Sequence, residues 1–217
     1  MTDVKLMPGW AHGIGKFLAH GVWNTRVLDA DLVPATGPVI LAANHVSVID
    51  GPLLAGAAPR RLNILVKEEM FHGPIGAILR GAGQIPVDRT GGGRSALVAG
   101  LEVLHRGGAV GVFPEGNRGR GDAASARAGV SWLAVNGDAP VVPVAVLGTR
   151  RTGEGVNHIP GFRRRLWVRF GAPITPVRAA GMSKRESVAA TNEAVRVALS
   201  ALVAGTLAHV GVGLPED

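Results

Sequence analysis

Short apolar segments of four to seven residues alternate along this chain with longer segments that have a helical repeat. Apolar runs this short are typical of buried strands, whereas the longer segments repeat their apolar residues every three or four positions. Strands that alternate with helices indicate an α/β layer fold. We therefore predict one α/β domain with a central sheet, largely parallel or mixed, flanked by helices. The predicted strands are Val39–Ala43, Leu62–Val66, Gln84–Val87, Ala109–Phe113, Val141–Leu147 and Leu166–Phe170.

The first predicted helix, about Trp10–Thr25, is amphipathic. Its apolar positions recur at helical spacing and are Ile14, Phe17, Leu18 and Val22. We expect an N-terminal helical segment over residues 1–30 and the main domain over residues 31–217. The other predicted helices are about Asp50–Ala58, Pro74–Gly81, Arg94–Arg106, Ala123–Asn136 and a closing helix with Val188, Val195, Leu199 and Leu202.

Two further features bear on how these segments are placed. Pro143 lacks the N–H that a β-ladder requires, so we predict that its strand lies at an edge or contains a bulge.

Long stretches without charge occur at Leu32–Ile49 and Val197–Pro215, but both contain glycine and polar residues. Neither is the run of about 20 strongly apolar residues that a membrane span needs. We therefore expect no transmembrane segment, while attachment to a membrane surface stays open.

The charge of the chain narrows the class of partner only slightly. It carries 23 Lys and Arg against 16 Asp and Glu, for a net charge of +7. A basic surface suits phosphates, an acidic carrier protein, anionic lipid headgroups or nucleic acid. No basic helix carries interleaved aromatic residues, so we expect no nucleic acid. The absence of cysteine excludes a disulfide scaffold and thiolate zinc sites.

The residues directly after the first predicted strand include a histidine and a carboxylate. His45 follows Asn44 and precedes Asp50 by five positions, at a strand-to-helix junction. A histidine is the usual general base near neutral pH, and a carboxylate on its second ring nitrogen would fix its tautomer. On a straight helix the two side chains would diverge, so they can meet only if the chain turns between them. Taken alone, the pair is better explained as a loop histidine beside a helix-start carboxylate.

A second group of polar residues follows two other predicted strands. Glu115, Gly116 and Arg118 lie just after Phe113, and Arg89 follows another strand. In parallel sheets, functional groups gather beyond the carboxyl ends of the strands. Glycine lets backbone amides approach a ligand, and arginine can bind a phosphate through two nitrogens. The group therefore indicates an anion site, although a solvated turn would also favour such residues.

Other catalytic signatures are absent from the sequence. It contains no G-x-S-x-G elbow, no phosphate-binding G-x-x-x-x-G-K-[ST] loop and no H-E-x-x-H. Residues 91–96 fit the loose dinucleotide pattern G-x-G-x-x-A, but charged residues separate them from the preceding strand. We therefore expect neither a metal nor a bound cofactor.

Taken together, four ordered motifs resemble those of the glycerolipid acyltransferase family, the 1-acyl-sn-glycerol-3-phosphate (lysophosphatidate) acyltransferases. The first motif, N-H-x-x-x-x-D, matches Asn44, His45 and Asp50, and the second, a glycine with a short strand and an arginine, matches Gly83–Arg89. The segment Val66–Phe71 is also similar to the stretch that the family has between these motifs. The third motif, F-P-E-G-[ST]-R, matches Phe113, Pro114, Glu115, Gly116 and Arg118, with Asn117 in place of the usual serine or threonine. The fourth, a short apolar strand with proline, matches Val142–Val146 around Pro143.

The resemblance implies transfer of a fatty acyl group from a thioester to the free hydroxyl of 1-acyl-sn-glycerol-3-phosphate, a step of phospholipid biosynthesis that gives phosphatidate. His45 would act as the general base and Asp50 would orient it. The acceptor's glycerol phosphate would be bound by Arg89, Glu115, Gly116 and Arg118, with help from Lys67. Acyl-CoA or acyl-carrier protein would be the donor substrate. The resemblance also assigns residues 31–217 as an acyltransferase domain.

Several alternatives remain at this point. Within the family, the acceptor could be another lysophospholipid or a lyso-glycolipid. Outside enzymology, the chain could be a non-catalytic, basic lipid-surface binding protein. The donor, the acyl chain length and the oligomeric state are not fixed by the sequence. We expect a cytoplasmic protein that is peripheral on the inner face of the membrane, attached by the apolar side of the Trp10–Thr25 helix. The alternative, which the sequence favours equally, is that this side packs on the core of the domain.

Overall fold

The computed structural model describes residues 4–88, 93–116, 121–123 and 127–216. Its strands are β1 Asn24–Leu28, β2 Val39–Ala43, β3 Leu62–Lys67, β4 Ile85–Val87, β5 Ala109–Val112, β6 Val141–Leu147 and β7 Arg165–Phe170. Its α-helices are α1 Gly9–Lys16, α2 Asp50–Ala57, α3 Gly73–Gly81, α4 Arg94–His105, α5 Gly129–Gly137 and α6 Lys184–Val210. A π-helical segment, Phe17–Val22, continues α1 directly.

The strands form one seven-stranded sheet in the order β1-β7-β6-β2-β5-β3-β4. Strands β6, β2, β5, β3 and β4 run parallel, and β7 is antiparallel to β6. The carboxyl ends of these five parallel strands therefore lie along one edge of the sheet. This arrangement confirms the predicted α/β fold with a largely parallel, mixed sheet flanked by helices.

The central strand β2 shows why its sequence is continuously apolar. All five of its residues are buried, because helices cover both faces of the sheet. Leu41 and Ala43 face the layer that contains α1 and α2. Ile40 and Ala42 face the opposite layer, built from α4, α5 and α6. The chain that leaves β2 therefore emerges from a fixed position between two packed layers.

Helices α1 and α2 cross with their backbones almost in contact. Gly15 lies against Gly56, and a β-carbon at position 56 would overlap the Gly15 carbonyl. Two glycines at the crossing point make this approach possible. Because α2 begins at Asp50, the N-terminal helix packs directly on the helix that carries this carboxylate.

The predicted N-terminal helix is too long in one respect. The helical conformation ends at Val22, and Asn24–Leu28 forms the edge strand β1 beside β7. The sequence NTRVL is short and contains three polar residues, so it lacks the apolar run that marked the other strands. Its place at the edge of the sheet explains why polar residues are tolerated there.

The prediction that the strand with Pro143 lies at an edge is wrong, whereas its alternative, a bulge, agrees with an irregularity in the pairing beside the proline. Strand β6 lies inside the sheet, between β2 and β7. The Pro143 carbonyl accepts a hydrogen bond from the Gly171 N–H at 2.8 Å, so the proline nitrogen also faces β7. Beside the proline the pairing shifts by one residue: Val144 pairs with Phe170, but Val141 pairs with Ile174, so that two residues after β7 lie opposite Val142 alone.

The helix predicted over Ala123–Asn136 begins later, at Gly129. Ala123 has a φ of 54°, a left-handed conformation that a helix cannot accommodate. The remaining strands and helices match their predicted positions to within a few residues, apart from α6, which is longer than its apolar pattern indicated.

Within the described residues, α6 alone is long and apolar enough to cross a membrane by length and composition. In the fold it packs along β6 and α5. Its buried residues form one stripe: Ser187, Thr191, Val195, Leu199, Val203 and Thr206. Length and composition alone therefore do not distinguish a helix that covers a sheet through such a stripe from a transmembrane helix.

Candidate active site

Asp50, at the start of α2, is fully buried and receives hydrogen bonds at both carboxylate oxygens. Its Oδ2 accepts the backbone N–H groups of Val46 and Ser47, each at 2.7 Å. Its Oδ1 accepts the Thr149 hydroxyl at 2.6 Å. Several donors around one buried carboxylate satisfy its oxygens and fix its position. The tight turn of residues 45–50 is therefore organised around this side chain.

The His45 ring lies against Asp50, with 2.8 Å between Nδ1 and Oδ2. An ionised carboxylate can only accept, so Nδ1 carries the proton and Nε2 has the free lone pair. The ring also stacks on Phe113, with centroids 4.2 Å apart and planes 23° apart. The His45 side chain is 15% exposed, whereas Asp50 is inaccessible. The pair is thus a supported base with access to solvent on the histidine side.

Asn44 anchors the turn to the neighbouring strand. Its side-chain oxygen accepts the Val146 N–H at 2.7 Å, and its amide donates to the carbonyls of Val146 and Gly121 at 3.1 and 3.2 Å. The residue is fully buried, so these bonds are needed to satisfy its polar atoms. Asn44 therefore ties the end of β2 to β6 and to the loop that follows β5.

Glu115 lies on the loop after β5 and contacts the backbone of His45. Its Oε1 accepts the His45 N–H at 3.1 Å. Burial raises the pKa of Glu115 to about 7, and the nearby Asp122 and Asp50 act in the same direction, while hydrogen bonds from the His45 and Gly121 backbones lower it. The next residue, Gly116, has a φ of 72°, which glycine adopts without strain. The two loops are thus joined through a carboxyl group that is partly neutral at pH 7.

The structure describes some of the other predicted site residues and not the rest. Phe113 stacks on the base, and the Pro114 carbonyl accepts the Arg127 N–H at 2.9 Å. Lys67, at the carboxyl end of β3, is partly exposed and pairs with Glu69 at 3.2 Å. Pro143 lies in β6, beside β2. Arg89, Asn117 and Arg118 lie outside the described residues, so their predicted roles stay predictions.

Two residues at this edge were not predicted. Thr149 follows β6 by two positions and binds Asp50, but its proximity to β2 depends on a strand order that the sequence does not state. Arg127 places its guanidinium over Gly116, so closely that a β-carbon at 116 would overlap it. Nothing in the sequence marked Arg127 as part of the site, because it fell inside the predicted helix Ala123–Asn136, whereas α5 begins at Gly129.

The chemistry available at this edge is that of a base with a buried carboxylate partner. Among the described residues, no three His, Cys, Asp or Glu side chains lie together as metal ligands. The supported histidine can remove a proton from a bound hydroxyl, and the exposed cations at the same edge can attract an anion. This arrangement suits proton transfer beside a negatively charged group.

Comparisons with known proteins agree with the motifs. The family model named Acyltransferase matches residues 24–147. The chain is 30% identical over 124 residues to human 1-acyl-sn-glycerol-3-phosphate acyltransferase beta, which covers 55% of this chain and 45% of that protein. It is 30% identical over 189 residues to the lyso-ornithine lipid O-acyltransferase of Pseudomonas aeruginosa, which covers 78% of this chain and 70% of that protein.

The fold also matches a solved structure. The 1-acyl-sn-glycerophosphate (LPA) acyltransferase PlsC of Thermotoga maritima superposes with a TM-score of 0.66 at 24% identity. The match covers 89% of this chain and 78% of that one. The chain thus spans less than half of its human relative and about three quarters of the two bacterial proteins.

Proposed function

This chain belongs to the Acyltransferase family, and from that premise we propose that it moves a fatty acyl group from an acyl thioester to the free hydroxyl of 1-acyl-sn-glycerol-3-phosphate. The product would be phosphatidate, which places the reaction in phospholipid biosynthesis. The observation that carries the proposal is the buried His45–Asp50 pair at the carboxyl edge of the sheet. Such a pair is the machinery that activation of a hydroxyl needs.

In the proposed mechanism, His45 Nε2 takes the proton of the acceptor hydroxyl as the oxygen attacks the thioester carbonyl. The tetrahedral intermediate then expels the thiolate, which receives the proton from the imidazolium. An ester and a free thiol result, and the enzyme returns to its starting state without an acyl-enzyme intermediate. Asp50 remains ionised throughout, holds the ring and stabilises the transient imidazolium.

The acceptor's phosphate would bind along the edge beside the base. Lys67, Gly116 and Arg127 support this assignment, because Lys67 ends β3 and the other two lie on the loop after β5, at the edge where β2 delivers His45. Arg89 and Arg118 complete the proposed anion site by their positions in the second and third motifs. The donor is acyl-CoA or acyl-carrier protein, and no cofactor takes part.

A second acceptor class has specific support. The alignment with the lyso-ornithine lipid O-acyltransferase covers more of this chain than the alignment with the human relative. An acceptor whose headgroup is ornithine would use the same base on a hydroxyl but would need a different set of headgroup contacts. The alternative is thus another lysolipid acceptor, handled by unchanged chemistry.

An acceptor panel distinguishes these possibilities. The purified chain is given one radiolabelled acyl-CoA with lysophosphatidate, other lysophospholipids, a lyso-glycolipid and lyso-ornithine lipid in turn. The proposal expects the highest kcat/KM with lysophosphatidate. A higher value with any other acceptor would reassign the substrate, and transfer to none, from acyl-CoA or acyl-carrier protein, would favour the non-catalytic lipid-binding alternative. Against that alternative stands Asp50, because a binding protein has no need of a buried carboxylate paired with a histidine.

We also propose that the chain works on a membrane surface, peripheral on its inner, cytoplasmic face. A lysolipid acceptor has an acyl chain that lies in a bilayer, so the site must reach the headgroup layer. The N-terminal helix supports this, since Trp10, Ile14 and Phe17 are exposed along one side. Lys16 and His20 are exposed beside them, which favours anionic lipid.

A further inference from the structure

The segment between β6 and β7 presents two large apolar side chains to solvent. Phe162 is 78% exposed and Ile159 is 66% exposed. Among the large apolar residues that the structure describes, only Phe17, also 66% exposed, has as high a value. Burying such a side chain is worth about 1.5–3 kcal/mol, so leaving both in water is unfavourable. The function described so far uses neither residue.

The base of this segment is held firmly, so the exposure is part of the fold. The indole N–H of the buried Trp23 donates to the Pro160 carbonyl at 3.0 Å, between the two apolar residues. The Arg163 N–H donates to the Val22 carbonyl at 2.7 Å. Arg164 binds both carboxylate oxygens of Glu154, at 2.7 and 3.0 Å. These contacts fix the tip, residues 159–162, in an outward position.

The charge around the tip is strongly positive. Residues 148–165 contain five arginines and one acidic residue, Glu154. That carboxylate is already paired with Arg164, while Arg163 and Arg165 are exposed next to the tip. An apolar tip beside exposed arginines has the composition of an element that enters the boundary of an anionic bilayer.

The tip is also connected to the catalytic turn and to the N-terminal helix. The Val48 N–H, within the turn that holds His45, donates to the Val156 carbonyl at 3.0 Å. Arg163 is bonded to Val22, the last residue of the helix that presents Phe17. A bilayer that held the tip would therefore lie close to the catalytic loop.

We propose that the 159–162 tip is a second membrane-docking element, which inserts Ile159 and Phe162 among the lipids while Arg163 and Arg165 contact anionic headgroups. The proposal rests on the proposed function only in taking a lipid acceptor as the reason for docking; the binding itself requires no turnover. An acidic carrier protein would also be attracted by the arginines, but it does not account for two exposed apolar side chains of this size.

Flotation of the purified chain with vesicles tests the proposal. Vesicles of phosphatidylcholine alone are compared with vesicles that also contain phosphatidylglycerol. Ile159→Ser/Phe162→Ser should weaken binding to both kinds about tenfold or more, since both side chains lose their apolar contact. Its matched control is Val98→Ser, which removes a residue 53% exposed on α4 and should change nothing.

Charge variants test the second half of the proposal. Arg163→Gln/Arg165→Gln should weaken binding only to the anionic vesicles, by about fivefold for each arginine. The control is Arg185→Gln, an exposed arginine at the start of α6. Phe17→Glu, assayed alongside, measures the separate contribution of the N-terminal helix. Matching thermal unfolding midpoints ensure that each variant is folded.

The outcomes separate this proposal from the proposed function. If Ile159→Ser/Phe162→Ser floats as wild type, or if Val98→Ser loses as much binding, the tip is not a docking element. If the arginine variants lower kcat/KM only with acyl-carrier protein and leave flotation unchanged, the surface binds the carrier and the proposal fails. Loss of flotation as expected, with no acyl transfer to any acceptor by wild type, would uphold docking and remove the proposed function.

Discussion

The turn of residues 45–50 and the rim formed by Lys67, Gly116 and Arg127 lie at the same edge of the sheet but are built differently. In the turn, both carboxylate oxygens of Asp50 accept hydrogen bonds, and the side-chain amide of Asn44 both accepts and donates them. Both residues are inaccessible to water. On the rim, the side chains of Lys67 and Arg127 are exposed. The chain therefore holds its proposed base through buried contacts, whereas the side chains proposed to meet the headgroup lie in solvent.

This difference predicts that changes in the turn act on turnover and changes on the rim act on affinity. The largest effect should come from His45→Ala, which removes the base from an intact scaffold. We expect a loss of about 10²–10⁴ in kcat, with little change in the unfolding midpoint, because the ring is partly exposed and Asp50 keeps three other hydrogen-bond donors without it. The measurement is steady-state transfer from acyl-CoA, with circular dichroism as the folding control. Undiminished turnover in the folded variant would refute the mechanism.

Asp50→Asn should cost less than His45→Ala but still about 100-fold or more in kcat. The amide can accept from the backbone of Val46 and Ser47, yet it cannot stabilise a charged imidazolium. A misoriented base is still a base, so some activity should remain. Assaying both variants in one preparation ranks them, and a higher activity for His45→Ala would reverse the assigned roles.

Thr149→Val tests whether support at the far oxygen of Asp50 matters to catalysis. We expect about a tenfold loss of kcat with an unchanged acceptor KM, and a loss of about 1–3 kcal/mol in stability, because Oδ1 loses its hydroxyl donor. Thr149→Ser keeps the hydroxyl and should restore kcat to near the wild-type value. A purely structural role would lower stability in Thr149→Val while leaving kcat per folded molecule and its pH profile as in wild type.

Glu115→Gln should change how stability depends on pH. The pKa of Glu115 is about 7 in the folded chain and 4.5 as the ordinary value, so between these values the folded chain retains a proton that the unfolded chain has released. The free energy of unfolding of wild type should therefore fall relative to the variant as pH rises through this window, by about 1–2 kcal/mol after allowance for partial exposure. Urea unfolding at pH 4.5, 6 and 8 measures it. A constant difference across these pH values would show that the carboxyl titrates normally.

The smallest effects should come from the rim. Arg127→Gln and Lys67→Gln should each raise the acceptor KM about threefold to tenfold and leave kcat unchanged, because exposed cations contribute modestly to binding an anion. Arg185→Gln serves as the control for a general loss of positive charge. An increase confined to the donor KM would assign these residues to the acyl-CoA or carrier-protein site.

The sequence predicted the turn better than the rim, and the reason is local. His45 and Asp50 are close along the chain and follow the most apolar strand, so a turn between them was enough to bring them together. Thr149 is 99 positions from Asp50, and no periodicity reports that β6 lies beside β2. Strand β1 was missed because an edge strand needs no continuous apolar run.

The proline in β6 shows a second limit of reading strands from sequence. A proline was expected at an edge, because its missing N–H matters wherever a neighbouring strand requires a donor. Pro143 lies in the interior of the sheet, where its carbonyl accepts the Gly171 N–H and the pairing shifts by one residue before Val141 meets Ile174. This shift depends on the register of the whole sheet, which the sequence does not state.

The crossing of α1 on α2 has a mechanical consequence. Helices that touch through the backbones of Gly15 and Gly56 have no flexible side chains between them to absorb displacement. Tilting the outer helix would therefore turn the inner helix with it, and Asp50 is the first residue of that inner helix. A surface that held the exposed side of α1 would therefore be connected, through one backbone contact, to the helix that carries the partner of His45.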